Sequence, residues 1–196
     1  MLPHLFLCRH GETAWNAERR IQGQTDIPLN DLGRRQAAGN GARLRELLGA
    51  GAPGWDFLAS PLGRTRETME ILREALGLPR EGYPTDPRLM ELHFGDWQGF
   101  TLAEIAKETP GAIEERERDK WNYVPPGAGA ESYAMLDKRI WPVFAELTRP
   151  TIVVAHGGIA RCFLVRLDEM TTEEAAHSFI AQDRVIEARE ERVDWV

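Results

Sequence analysis

Leu5-Phe6-Leu7-Cys8-Arg9-His10-Gly11-Glu12-Thr13-Ala14-Trp15-Asn16 is the stretch on which the reading of this chain turns. Four apolar residues run straight into Arg-His-Gly. A short apolar run closed abruptly by polar residues and glycine predicts a buried strand followed by a tight turn. In an open α/β sheet, ligands bind in the crevice beyond the carboxyl ends of such strands. Arg9 and His10 are therefore expected at the rim of a site. Arginine offers a fixed fork of donors that matches phosphate oxygens. Neutral histidine offers a ring nitrogen that can act as a nucleophile. Gly11 lets the backbone turn closely around whatever binds. Taken alone, the three residues also fit a basic loop with a stray histidine.

The whole chain narrows the choice. Its 196 residues suit one domain, residues 1–196, with a substantial core. A composition of 42% hydrophobic and 28% charged residues is that of an ordinary globular protein. The net charge of −7 and a pI near 5.3 argue against a general nucleic-acid or membrane-surface binder. They leave room for a small anionic substrate, because a few arginines focus a local positive field. Cys8 and Cys162 both lie in apolar segments and are expected as buried packing, neither a disulfide nor a metal pair. The run at 5–8 is too short for a signal peptide's apolar region and meets Arg9 at once. No apolar run approaches membrane-spanning length, so a cytoplasmic location is expected.

Along the chain, polar residues 19–30 form a loop near the end of the first strand, and Asn30 is placed to cap a helix over 31–48. Residues 55–60 read as a second apolar strand. Pro61 opens a helix over about 62–76 that Gly77 stops. Arg64 falls in its first turn, while Glu67 and Arg73 read as solvated. A short strand is expected at 88–90. Thr101 and Glu104 form a capping box for a helix to about 108. The charged run 114–120 reads as a solvated helix and the rest of 110–129 as loop, with the character of a lid. A helix over 131–147 should kink at Pro142. Residues 151–155 form the clearest buried strand, ending in His156-Gly157-Gly158, and a helix follows to about 167. Thr171 with Glu174 caps another helix, and 185–196 reads as a terminal hairpin. Strands alternating with helices predict a three-layer α/β/α sandwich with a largely parallel, mixed central sheet.

Three separate strands thus end in chemically loaded turns: Arg9-His10-Gly11, Ser60-Pro61-x-x-Arg64 and His156-Gly157-Gly158. A sheet aligns such ends on one edge, so two histidines and two arginines should converge, with Glu91 nearby. Two imidazoles and two guanidiniums suit a tetrahedral oxyanion with a nucleophile beneath it. On these residues the chain resembles the histidine phosphatase superfamily, whose fold is phosphoglycerate-mutase-like. The resemblance is carried by Arg9-His10-Gly11-Glu12-Thr13-x-Trp15-Asn16, Gln22-Gly23, Leu29-x-x-x-Gly33-x-x-Gln36-Ala37, Ser60-Pro61-Leu62-x-Arg64-Thr65-x-x-Thr68, Glu91-x-x-x-Gly95-x-Trp97-x-Gly99 and Val154-x-His156-Gly157-Gly158. These motifs run in family order from residue 5 to about 165.

The resemblance implies that His10 attacks phosphorus and becomes a phosphohistidine. Arg9, Arg64 and His156 would hold the phosphoryl oxygens, with His156 cationic. Glu91 would protonate the leaving alkoxide and then take a proton from water. That first task needs a raised pKa, so an apolar or anionic neighbourhood is expected around Glu91; Glu12 and Asp96 are the alternative donors. Asn16, Gln22, Gly23 and Gly157 would add phosphate contacts, although Asn16 is also placed to do no more than brace its loop. No metal and no cofactor is expected, since Arg and His supply the positive charge. Trp15 and Trp97 read as packing, His4 and His177 as ordinary, and His93 as a residue that could line the pocket. Arg20 reads equally as solvated or as a contact for a second anionic group of the substrate.

Cofactor-dependent phosphoglycerate mutases resemble the same core. They carry Glu-Arg-His-Tyr-Gly around the acid and a Lys further on; here the stretch is Glu91-Leu92-His93-Phe94-Gly95, with Leu102 at the Lys position. The segment from 110 to 131 also lacks their paired arginines. A mutase must retain its substrate during re-transfer, so the loss of these cations favours hydrolysis. The expected activity is that of a small bacterial phosphatase acting on a small phosphorylated metabolite, alpha-ribazole phosphate or a sugar phosphate among them. Phosphoglycerate mutase is the alternative and a non-catalytic phospho-ligand binder the third reading. Monomer and homodimer stay open, and neither a nucleic acid nor a membrane is expected as partner.

Overall fold

The computed structural model describes residues 2–190 and 192–196. Its centre is a five-stranded mixed sheet of order β2-β3-β1-β4-β5, formed by β1 (Leu5–Arg9), β2 (Asp56–Ala59), β3 (Thr151–Ala155), β4 (Val185–Arg189) and β5 (Arg192–Trp195). β1, β2 and β3 are parallel; β4 and β5 close the other edge as an antiparallel hairpin.

β1 is buried on both faces, and its alternation sorts the core into two layers. Leu5 and Leu7 pack with Val153, Ala155, Phe144 and Phe163 beneath α6 (Tyr133–Ala145) and α7 (Gly157–Arg166). Phe6 and Cys8 pack with Ile152, Val154, Leu44 and Met69 beneath α2 (Asp31–Leu48) and α3 (Gly63–Ala75). The result is helices on both faces of one sheet, with the short helix α1 (Ala14–Ala17) following β1. Each fully buried Leu or Phe contributes roughly 1.5–3 kcal/mol against solvent exposure. Both cysteines are buried and free.

The predicted caps are present: Asn30 accepts from Gly33 N at 2.8 Å, and Thr101–Glu104 and Thr171–Glu174 form capping boxes for α4 (Leu102–Glu108) and α8 (Thr172–His177). Gly77 stops α3 at φ +76°. Other expectations fail for identifiable reasons. Residues Pro87–Leu89 form a 3-10 turn instead of a strand, because Asp86 caps Arg88 N and proline holds the first position. Arg73 is buried, stacked on Phe57 and donating to the Pro79 and Glu81 carbonyls. The charged helix α5 (Ala112–Arg118) is solvated except at Ala112 and Arg116, which are 8% exposed, and at half-buried Ile113. No helix among the described residues is long and apolar enough to cross a membrane.

Register places the site. Arg9 pairs with Ala155 and Ala59 with Val154, so the three parallel strands end level with one another. Beyond those ends His10 N donates to Ala155 O at 3.0 Å and Ser60 N to Val154 O at 3.1 Å. His10, Ser60 and His156 are therefore the first residues past three adjacent strands.

Candidate active site

The structure brings His10, Arg64 and His156 together. The imidazoles of His10 and His156 lie 5.2 Å apart between centroids, edge to face. His10 Nδ1 lies 2.8 Å from the Gly11 carbonyl, which can only accept, so the ring proton sits on Nδ1. Nε2 then carries the lone pair, and it accepts from Arg64 Nε at 3.3 Å. Burial, Arg64 and Arg9 all hold the pKa of His10 well below its usual 6.5, which keeps this nitrogen unprotonated.

Arg64 is 1% exposed and is fixed from three sides. Besides His10, it donates to Thr25 O and Gly23 O, each at 2.7 Å. Gly23, at φ +54°, thus serves the site through its carbonyl. Arg9 donates to Ile180 O at 2.7 Å, and its Nε is buried without a partner. Burial first, then Arg161, pushes the Arg9 guanidinium down to about 10. His156 Nε2 lies 2.8 Å from Ser60 Oγ, and its Nδ1 is a second buried atom without a partner. Burial, Arg64, His10 and Arg9 hold His156 well below 6.5 too. Without a bound anion these causes favour the neutral ring.

Glu91 lies at the same pocket but not in the expected surroundings. Its Oε1 accepts from Leu92 N at 2.9 Å and its Oε2 from Gly158 N at 3.1 Å, and the charges that feel it are Arg9 and Arg64. Its neighbourhood is cationic and rich in donors, not anionic. A Cβ on Gly158 would stand 2.3 Å from Glu91 Oε1, so the second glycine after His156 is what admits the carboxylate. Glu12, an alternative donor, accepts instead from Asn30 Nδ2 at 2.9 Å.

The remaining expected residues divide. Asn16 Oδ1 accepts from Thr13 N, Thr13 Oγ1 and Gln182 Nε2 at 3.1–3.2 Å, a bracing role that leaves its amide nitrogen for a ligand. Gln22 is buried with Oε1 unpartnered. A Cβ on Gly157 would meet Arg9 Nε and Arg161 Nη1, each at 3.4 Å. Gly11 is needed for packing: a Cβ there would lie 2.2 Å from Gly33 O, and one on Gly33 would lie 2.1 Å from Glu12 O. Arg20 is taken by Glu104 and Gly99 O at 2.8 and 2.6 Å. His93 accepts from Gly95 N at 3.0 Å within its own turn. Trp97 is buried against Tyr123, as expected of packing.

Sequence reasoning missed Gln182, which ties His10 O to Asn16, and Arg161, which binds Ser178 O and the Tyr133 hydroxyl beside Arg9. Arg161 had a signal, four residues after Gly157 on one helix face; Gln182 sits in an irregular loop and had none. Cavities of about 560 and 510 Å³ lie elsewhere, lined by residues such as Leu2 and Arg189 or Asp56 and Thr151, and include no residue of the histidine cluster. The site is marked by its chemistry, not its size.

A buried histidine flanked by guanidiniums and a second imidazole suits phosphoryl transfer, and the comparisons place the chain in a phosphatase family. The sequence profile of the histidine phosphatase superfamily (branch 1) matches residues 5–195, and the chain belongs to that superfamily. Among its relatives, glucosyl-3-phosphoglycerate phosphatase of Mycobacterium tuberculosis is 37% identical over 169 residues, covering 79% of this chain and 70% of that one. A probable phosphoglycerate mutase of Klebsiella pneumoniae is 38% identical over 168 residues, covering 82% and 72%. The mycobacterial glucosyl-3-phosphoglycerate phosphatase solved with VO3 superposes at a TM-score of 0.79 with 30% identity, over 99% of this chain and 96% of that one.

Proposed function

We propose that this histidine phosphatase hydrolyses a small phosphomonoester through a phosphohistidine at His10. The observation that carries the reading is the unprotonated Nε2 of His10, held at 3.3 Å by Arg64 Nε. In the first step that nitrogen's lone pair attacks phosphorus, the ester P–O bond breaks, and the Glu91 carboxyl gives its proton to the departing oxygen. In the second, water attacks phosphorus, Glu91 takes the water's proton, and the N–P electron pair returns to His10. Arg9, Arg64 and His156 hold the phosphoryl oxygens; phosphoryl transfer leaves a protein little to do beyond such positioning and charge stabilisation. His156 takes up a proton only against the dianion, which offsets the arginines that keep it neutral. Gln22 and the Asn16 amide nitrogen complete the cradle.

The name of the mycobacterial relative makes glucosyl-3-phosphoglycerate the first substrate to assay. Labelled substrate should leave a phosphohistidine that His10→Ala abolishes. Assay of 3-phosphoglycerate with bisphosphoglycerate against p-nitrophenyl phosphate separates hydrolase from mutase; isomerisation without comparable phosphate release overturns the hydrolase reading.

A further inference from the structure

Glu91 stands in a segment without regular structure, between the 3-10 turns Pro87–Leu89 and Gly95–Trp97. A carboxyl that must meet a leaving oxygen at hydrogen-bond distance needs a fixed backbone. Gln24 Nε2 donates to Glu91 O at 3.0 Å, and the rest of the segment is fixed by an ion pair that the catalytic steps do not use. Arg139, on α6, donates through Nη1 to Arg88 O at 2.7 Å and Met90 O at 3.0 Å, and through Nη2 to Glu91 O at 3.3 Å. The same guanidinium forms a two-pronged pair with Glu131 at 2.7 and 2.6 Å. Glu131 in turn accepts from His93 N at 3.2 Å and donates its own N–H to His93 O at 2.9 Å. The carbonyls of Arg88 and Met90 and both backbone groups of His93 thus end on one pair, and the Glu91 carbonyl is shared between that pair and Gln24. The two side chains are only 23% and 15% exposed.

We infer that Arg139 and Glu131 are positioning residues for the Glu91 carboxyl, acting on the proton-transfer part of catalysis and not on phosphate binding. The inference rests on the proposed role of Glu91. A guanidinium is required because one planar fork satisfies three carbonyls and a carboxylate together; a lysine keeps the charge and loses the fork.

The test is kcat/KM for a series of aryl phosphates from p-nitrophenyl to phenyl phosphate, which reports the step that forms phosphohistidine. Glu91→Gln should steepen the dependence on leaving-group basicity, because nitrophenolate departs with little help and phenolate needs the proton. Arg139→Lys and Glu131→Gln should steepen it too, phenyl phosphate losing about tenfold more than p-nitrophenyl phosphate, within the range a small misplacement produces. Arg139→Met should exceed both; if it fails to fold, the lysine variant carries the test. A merely structural role lowers all substrates by one factor and leaves the slope alone. A steep slope in Glu91→Gln with unchanged slopes in Arg139→Lys and Glu131→Gln overturns this inference by itself. An unchanged slope in Glu91→Gln overturns the reading of Glu91, and the inference with it.

Discussion

His10 and Glu91 reach one pocket from opposite kinds of structure. His10 is the first residue past a strand paired residue by residue with β3, and its own N–H continues that ladder to Ala155 O. Glu91 lies in irregular chain, where its carboxylate rests on two backbone N–H groups and its carbonyl on the Arg139 guanidinium and the Gln24 side-chain amide. The sheet fixes His10 cooperatively, through the whole ladder. Glu91 is held by a few long side chains, and each can be removed. Positioning by a sheet edge is robust; positioning by a clamp is tunable.

Substitutions that strike each half should separate these behaviours. The largest effect is expected at Arg64→Lys, which loses the contact to His10 and both carbonyl anchors; a fall of about 10²–10³-fold in kcat follows from the value of one preorganised donor in such sites. A fall below threefold would show that the fork at Arg64 is dispensable. Gly158→Ala should come next. Its Cβ would sit 2.3 Å from Glu91 Oε1 and 3.0 Å from Leu136 Cδ2, so the carboxylate must move. We expect roughly tenfold lower kcat/KM on phenyl phosphate with His10 still labelled; an unchanged rate would mean that Glu91 is not held where it works.

Acid stability gives a smaller effect that belongs to the strand-end half alone. His10 and His156 are held well below 6.5 in the folded protein by burial and the arginines. The unfolded chain therefore takes up their protons first as pH falls. Stability from this source is complete above about pH 6.5 and is lost on acidification, until the folded pKa values are reached. Each histidine contributes up to about 2 kcal/mol of loss between pH 6.5 and 5. Urea midpoints at pH 7 and pH 5 measure it, and His156→Gln should reduce the difference by one histidine's share. An equal difference in the variant would refute the assignment. Asn16→Ala is the mildest, a few-fold in KM, because its oxygen braces the loop and only the amide nitrogen is free for substrate.

The same division decides what was legible in the sequence. Level strand ends follow from alternating strands and helices, so Arg9, His10, Arg64 and His156 were readable as one cluster from their spacing after apolar runs. Caps at Asn30, Thr101 and Thr171 were readable because the side chain and its target are three residues apart. The environment of Glu91 was not: Gly158, Arg139 and Glu131 lie 40 to 67 positions away, and nothing local signals that they meet it. Nor was the burial of Arg73 or Arg116 legible: Arg73 is buried by the path of the loop after its helix, whose Pro79 and Glu81 carbonyls it meets, and Arg116 sits in a charged run. The packing need for Gly11 was not legible for the same cause, because its close neighbour is the backbone of Gly33.

Arg9 and Arg161 flank the start of α7, and their hydrogen bonds go to carbonyl and hydroxyl oxygens, not to carboxylates. Crowding like charges there makes the folded chain less stable than its core alone would allow. An oxyanion that settles among them relieves that repulsion, so occupancy of the pocket and resistance to heat are thermodynamically linked. Inorganic phosphate or vanadate should raise the melting temperature with concentration, and added salt should blunt the rise by screening.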